Sequence, residues 1–132
     1  MIDIKTPDGQ TLSLVPSAFI EVFYRDHRKS DSGSDVIYDG GRQLTPERAE
    51  DIVARISGDV SLIALNIVAA GPDASGFPVW INVDAIGGVK SAPAGAVLIV
   101  GGRTELVSES RIDVIAAIRR AKASGGARAM VV

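Results

Sequence analysis

The chain contains no cysteine, which rules out disulfides, thiolate nucleophiles and cysteine-ligated metal. It contains a single histidine, His27, whereas metal and acid–base sites are built from several converging groups. Tyr24, Asp26 and His27 come nearest to a catalytic set. They adjoin or lie in segment 25–34, which has no apolar residue to form a supporting shell. No catalytic, cofactor-binding or metal-binding residue is assigned, and no enzyme activity is expected. Phosphate-loop signatures are also missing: neither G-x-G-x-x-G nor G-x-x-x-x-G-K-[ST] occurs at the glycine doublets.

Long apolar runs are absent as well. The longest, 62–71, is interrupted by Asn66 and is far short of the ~20 residues that a membrane span needs. The start, Met1-Ile2-Asp3-Ile4-Lys5, lacks the basic head and apolar centre of a signal peptide. A cytoplasmic protein without a membrane span is therefore expected.

Charge is nearly balanced, at −2 overall, which makes no general case for nucleic acid. It is unevenly spread: residues 1–60 carry seven Lys/Arg against eleven Asp/Glu, and residues 61–132 carry seven against five. Beyond Asp113 the charged side chains are all basic, namely Arg119, Arg120, Lys122 and Arg128. Together with Arg111 they are candidate contacts for an anionic partner. The plainer reading is that cations near a helix C-terminus complement its dipole.

Along the chain, Ile2 and Ile4 alternate with polar residues, then Pro7-Asp8-Gly9 forms a turn, and Leu12 and Leu14 mark a return strand. Residues 18–24 read as a third strand. Residues 36–44 form a hairpin around Gly40-Gly41, suited to tight-turn backbone angles. Thr45-Pro46-Glu47 reads as a helix start. Ala49, Ile52, Val53 and Ile56 then form one apolar stripe, and Gly58 a stop. Residues 61–70 read as a buried strand, 78–83 and 85–90 as two more, and Gly101-Gly102 as a second hairpin turn. A last helix begins at Ser108, or at Ser110 with Asp113 completing a capping box. Val114, Ile115, Ile118 and Ala121 form its inward stripe, and Gly125-Gly126 its stop.

These elements occur twice. Pro7-Asp8 matches Pro72-Asp73, Leu12 and Leu14 match Val79 and Ile81, and Phe19 and Val22 match Ile86 and Val89. Segment 35–42 aligns with 96–103 without a gap. Leu44 matches Leu106, and Ile52, Val53 and Ile56 match Val114, Ile115 and Ile118. A module of this size buries only ~60% of its unfolded surface and is marginal alone. The expected fold is thus α+β: tandem duplicated hairpin, hairpin and helix modules, 1–58 and 61–123, forming one pseudo-symmetric domain with antiparallel sheet. Residues 124–132 are expected to be a flexible tail.

The stretch Asn82-Val83-Asp84-Ala85-Ile86, then Val97-Leu98-Ile99, Gly102 and Glu109-Ser110-Arg111-Ile112-Asp113-Val114-Ile115 resembles the small bacterial FlbD-like flagellar proteins. Those show an Asn-x-Asp-x-Ile start, a glycine-turn hairpin and a Glu-Ser-x-x-Glu/Asp-Val helix opening. The resemblance covers about residues 78–120; in the first copy Thr45-Pro46-Glu47-Arg48 stands in place of Glu-Ser. It implies a non-catalytic accessory role linked to motility.

The function expected is a non-enzymatic protein-interaction or assembly module with an unidentified protein partner. Edge strands open to β-addition make a homodimer the expected state. One alternative is a nucleic-acid-associated regulator using Arg111, Arg119, Arg120, Lys122 and Arg128, which no helix-turn-helix or stacking-aromatic motif supports. Another is a phage or virion structural component.

Overall fold

The computed structural model describes residues 1–26, 32–68 and 76–131, as backbone alone from residue 124. Strands β1 (Ile2–Lys5) and β2 (Thr11–Leu14) form a two-stranded antiparallel sheet. A 3₁₀ turn, Pro16–Ala18, leads into β3 (Phe19–Tyr24), followed by β4 (Ser34–Tyr38), β5 (Gly41–Thr45) and helix α1 (Ala49–Ile56). The same order then recurs: β6 (Leu62–Ile67), β7 (Phe77–Asn82), a 3₁₀ turn at Val83–Ala85, β8 (Ile86–Ala92), β9 (Gly95–Val100), β10 (Arg103–Val107) and α2 (Arg111–Val131). Eight strands form one antiparallel sheet in the order β5-β4-β3-β7-β6-β10-β9-β8. The fold is α+β, and β3 pairing with β7 carries the sheet across the middle of the chain. No helix among the described residues is long and apolar enough to cross a membrane.

The pairings recur in register. Ile2↔Leu14 and Ile4↔Leu12 in the first hairpin have the counterparts Ile63↔Ile81 and Leu65↔Val79. β3 meets β4 through a bulge after Phe19, and β8 meets β9 through a bulge after Ile86. The β4–β5 ladder runs from Ser34↔Thr45 to Tyr38↔Gly41, and β9–β10 from Ala96↔Val107 to Val100↔Arg103. Asp39 N–H donates to Ala18 O as Gly101 N–H does to Ala85 O. Glu47 accepts from the Lys5 N–H (3.1 Å) as Glu109 accepts from the Asn66 N–H (2.9 Å).

Two glycines mark the same place in each half. Gly33 (φ +87°) and Gly95 (φ +152°) enter β4 and β9, and a Cβ there would stand 2.5 Å from Thr45 O and 2.1 Å from Val107 O. Only glycine lets the backbones approach so closely.

These ladders correct the ungapped match of 35–42 with 96–103 by one residue. The first turn is Asp39-Gly40, with Gly41 already in β5, whereas the second is Gly101-Gly102. Aligning the glycine doublets misleads because only Gly40 of the first pair takes a positive φ, while Gly101 and Gly102 both do. The correction matters, since a one-residue slip sends every side chain to the opposite face.

Thr45-Pro46-Glu47 is likewise not a helix start. Thr45 ends β5, its Oγ1 accepts from the Glu47 N–H (3.2 Å), and α1 begins at Ala49. Glu47 is held instead by Lys5 N–H and Arg55. Ser110 does cap α2, accepting from the Asp113 N–H (3.2 Å). The inward face of α2 is Val114, Ala117, Ile118 and Ala121. Ile115 sits off that stripe, beside Arg111, Ile112 and Arg119. The Gly125-Gly126 pair falls inside α2 rather than ending it. Residues 72, 73 and 27, on which other expectations rest, lie outside the described residues.

Two hydrophobic cores result. One joins β1, β2, α1 and one face of β3 and β4 through Ile2, Ile4, Phe19, Val22, Val36 and Ile52. The other joins α2 to the opposite sheet face through Ile63, Ile81, Leu98, Val100 and Val114, and also takes in Ile20 and Ile37 from β3 and β4. Each half therefore contributes to the core of the other.

Candidate functional site

Residues opposite one another in an antiparallel ladder share a face, so the pairings divide the large sheet into two surfaces. One, running through Ile37, Ile81, Ile63, Leu98 and Val100, is buried at those positions, with the Arg42 and Arg103 side chains exposed at its margins. The other begins with Val22 and Val36, buried beneath α1 and the first hairpin. Farther on it loses its cover. Trp80 and Leu62 are half-buried, Ala64 is exposed, and on β10 and β9 Leu106 and Ile99 are 36% and 49% exposed. Val97 lies opposite Leu106, and Asn66, held by Glu109, stands between this patch and Ala64. At its covered end a cleft of about 350 Å³ opens between α1, α2 and the sheet, lined by Val53, Val60, Leu62, Ala64, Trp80 and Ala121. Trp80 is fixed there by edge-on contact with the Tyr24 ring (centroids 6.3 Å, 75°). An exposed apolar patch of this kind, formed by Ile99 and Leu106 beside Val97, marks a candidate contact surface.

The second feature is a buried group of charges. Glu21 on β3 is fully covered, and its Oε1 accepts a hydrogen bond from Arg103 Nη2 on β10, which also donates to Glu105 Oε1 (3.2 Å). β3 and β10 are three strands apart in the sheet order, roughly 14 Å if the sheet were flat. The Gly101 turn leading into β10 also lies against the Ile20 side chain of β3, so the sheet coils to bring the two strands together. Burial, then the adjoining Glu105 carboxylate, pushes Glu21 up to about 9 against the opposing pull of Arg103. Among the described residues Glu21 Oε2 and Glu105 Oε2 are buried without a hydrogen-bond donor, and the two carboxyl groups lie close enough for a proton on one to bond the other. One guanidinium cannot neutralise two carboxylates, and a proton held on Glu21 relieves the excess. An acid of raised pKa suits proton donation, but the complete burial of Glu21 leaves a substrate no approach. What the cluster does is tie the two halves together.

The basic positions proposed from sequence are spread along α2. Arg111 and Arg119 share a shallow exposed depression of about 280 Å³ with Ile112 and Ile115. Arg120 lines a different one with Leu62, Ala64 and Ala117. Lys122 is exposed, and the side chain of Arg128 lies outside the described residues. Tyr24 is a core residue, 6% exposed, and the Asp26 N–H is bound to Ser32 Oγ (3.0 Å). Among the described residues no group of three or more His, Asp or Glu side chains comes together as a metal site requires.

Sequence reasoning missed Glu21, although its signal was present as the single charge in the apolar run Phe19-Ile20-Glu21-Val22-Phe23-Tyr24. The exposed patch of Ile99 and Leu106 beside Val97 had no comparable signal, because it depends on strand order. Comparison of the chain with protein-family models, with curated proteins and with solved structures gave no match.

Proposed function

We infer that the chain is a tandem duplication of one small unit, residues 1–58 and 61–123 forming one compact domain, and that it works as a non-enzymatic protein-interaction or assembly module. The duplication is supported by the shared hairpin registers, the matching bulges, the Gly33 and Gly95 positions and the equivalent contacts of Glu47 and Glu109. The observation carrying the function is the exposed apolar patch of Ile99 and Leu106 beside Val97.

A cytoplasmic motility accessory role belongs to the same reading, resting on the FlbD-like resemblance. Residues that carry the resemblance have structural work here. Asn82 accepts from the Asp84 N–H (3.1 Å) and donates to Phe19 O (2.8 Å), locking the second 3₁₀ turn to β3. Glu109 holds Asn66, and Ser110 caps α2.

The test compares proteins captured from a motile bacterial host by the tagged chain and by the Ile99→Asp/Leu106→Asp variant. Partners retained by the first and lost by the second are expected. Identical capture by both overturns the assignment of the patch. A second reading, an anionic partner on Arg111 and Arg119, rests on their shared exposed face. It predicts retardation of nucleic acid at low salt, with binding that falls steeply as salt rises.

A further inference from the structure

The junction between the two halves defines what each end of the molecule lacks. Within the chain, β3 pairs with β7 as Glu21↔Ile81, Val22↔Trp80 and Phe23↔Val79. By the recurring registers, β8 occupies the place of β3, with Gly88, Val89 and Lys90 standing where Glu21, Val22 and Phe23 stand. In the same way β2 occupies the place of β7, with Leu14, Ser13 and Leu12 where Ile81, Trp80 and Val79 stand. Yet among the described residues β8 is the last strand of its sheet and pairs with β9 alone, while β2 pairs with β1 alone. The molecule thus has two open strand edges that correspond to the two edges already joined at its centre.

The exposed apolar side chains follow the same logic. Ile99 and Leu106 stand where Ile37 and Leu44 stand in the first half. Ile37 is 7% exposed because it packs in the core supplied by the second half, whereas Ile99 is 49% exposed. At the other end Val15, next to β2, is also 49% exposed. Three of the five large exposed hydrophobic residues among those described therefore lie at the two unmatched ends. No buried charge opposes the contact, since Gly88, Gly41 and Gln43 replace Glu21, Arg103 and Glu105 at the corresponding places.

We propose that copies of this chain associate head to tail, the free edge of β8 in one copy pairing with the free edge of β2 in the next, in the register by which β3 pairs with β7 within the chain. The pairs formed are Gly88↔Leu14, Val89↔Ser13 and Lys90↔Leu12. Ile99 and Leu106 are covered as Ile37 and Leu44 already are. The contact is heterologous, so it extends into a ring or filament instead of stopping at a two-fold dimer. This inference rests on the interaction-module reading and specifies its partner as a second copy.

The absence of cysteine gives a clean test. Two singly substituted chains, Ser13→Cys on a tagged copy and Val89→Cys on an untagged one, are mixed under mild oxidation. Leu12→Cys with Lys90→Cys is run in parallel, because neighbouring antiparallel pairs alternate between close and wide spacing. Crosslinked heterodimer is expected in at least one mixture, at tenfold or more over either variant alone. No excess in both mixtures overturns the proposal. Equal crosslinking of the Val89→Cys or Lys90→Cys chain with itself also overturns it, in favour of a symmetric β8–β8 contact. If crosslinking fails while the Ile99→Asp/Leu106→Asp variant still loses captured proteins, the interaction reading survives with a different partner.

Discussion

The first and second halves share their hairpin ladders pair for pair, yet their open surfaces differ. In the first half both faces of the β3–β4 meander are covered, one by α1 and the β1–β2 hairpin, the other by the core of the second half. In the second half α2 covers one face and Ile99 and Leu106 are left on the other. Local pairing rules therefore do not determine what is exposed. That is decided by which neighbour each meander has: β3 pairs with β7, whereas among the described residues β8 has no second partner strand.

The strongest way to break the comparison is to empty each core in turn. Phe19→Ala in the first core and Leu98→Ala in the second should cost about 3–5 and 2–5 kcal/mol respectively. Because β3–β7 pairing makes the sheet continuous, each substitution should lower one shared transition. Calorimetry and Trp80 fluorescence should give the same midpoint, whereas two separate transitions would mean independent halves.

Next in size are the matched glycines. Gly95→Ala should cost more than Gly33→Ala, because its Cβ would meet Val107 O at 2.1 Å rather than Thr45 O at 2.5 Å. Both should exceed the strain of roughly 1–3 kcal/mol for an unfavourable φ alone. Gly40→Ala and Gly102→Ala, where the added atom meets open space, should show that strain only. Denaturant midpoints would rank the four variants.

The Glu21 cluster sharpens the comparison through pH, since the second half has Gly88 at the matching position. Glu21 rises from 4.5 in the unfolded chain to about 9 when folded. The folded protein therefore keeps a proton that the unfolded chain releases. That contribution is fully present below pH 4.5 and declines as pH rises toward 9. Urea midpoints should fall over this range for the wild-type chain, and Glu21→Gln should flatten the fall. A slope that the substitution leaves unchanged would place the titration elsewhere.

The smallest effects belong to the matched carboxylates. Glu47→Ala and Glu109→Ala each remove a hydrogen bond to a backbone N–H and should cost about 1 kcal/mol. Glu47 is partly buried, but Arg55 and the Lys5 N–H outweigh that and hold its carboxyl below the usual range. Its contribution is therefore present above pH 4.5 and lost as pH falls through the lowered folded value. Acid titration of the wild-type chain against Glu47→Ala would separate this effect from that of Glu21, which runs in the opposite direction.

Much of the fold was legible in the residues themselves. Alternation placed Ile2, Ile4, Leu12 and Leu14 on a hairpin, the Ala49, Ile52 and Ile56 spacing gave α1, and Ser110 marked the start of α2. Side-chain period and capping are local properties, so a sequence can state them. The matching of Leu44 with Leu106, which take equivalent places in their ladders, was readable for the same reason. The candidate site was not readable. Leu106 and Val107 are both aliphatic neighbours in β10, yet one is 36% exposed and the other fully buried.

The sequence by itself determined the elements, the recurrence of their order, and the lack of thiol chemistry. The tertiary structure alone decided that Gly33 and Gly95 face opposing carbonyls, that Glu21 meets Arg103 across a coiled sheet, and that β2 and β8 are left as edges. The physical reason is distance along the chain. Turns and stripes are fixed by residues a few positions apart, whereas strand order, burial and proton affinity depend on neighbours brought together from opposite halves.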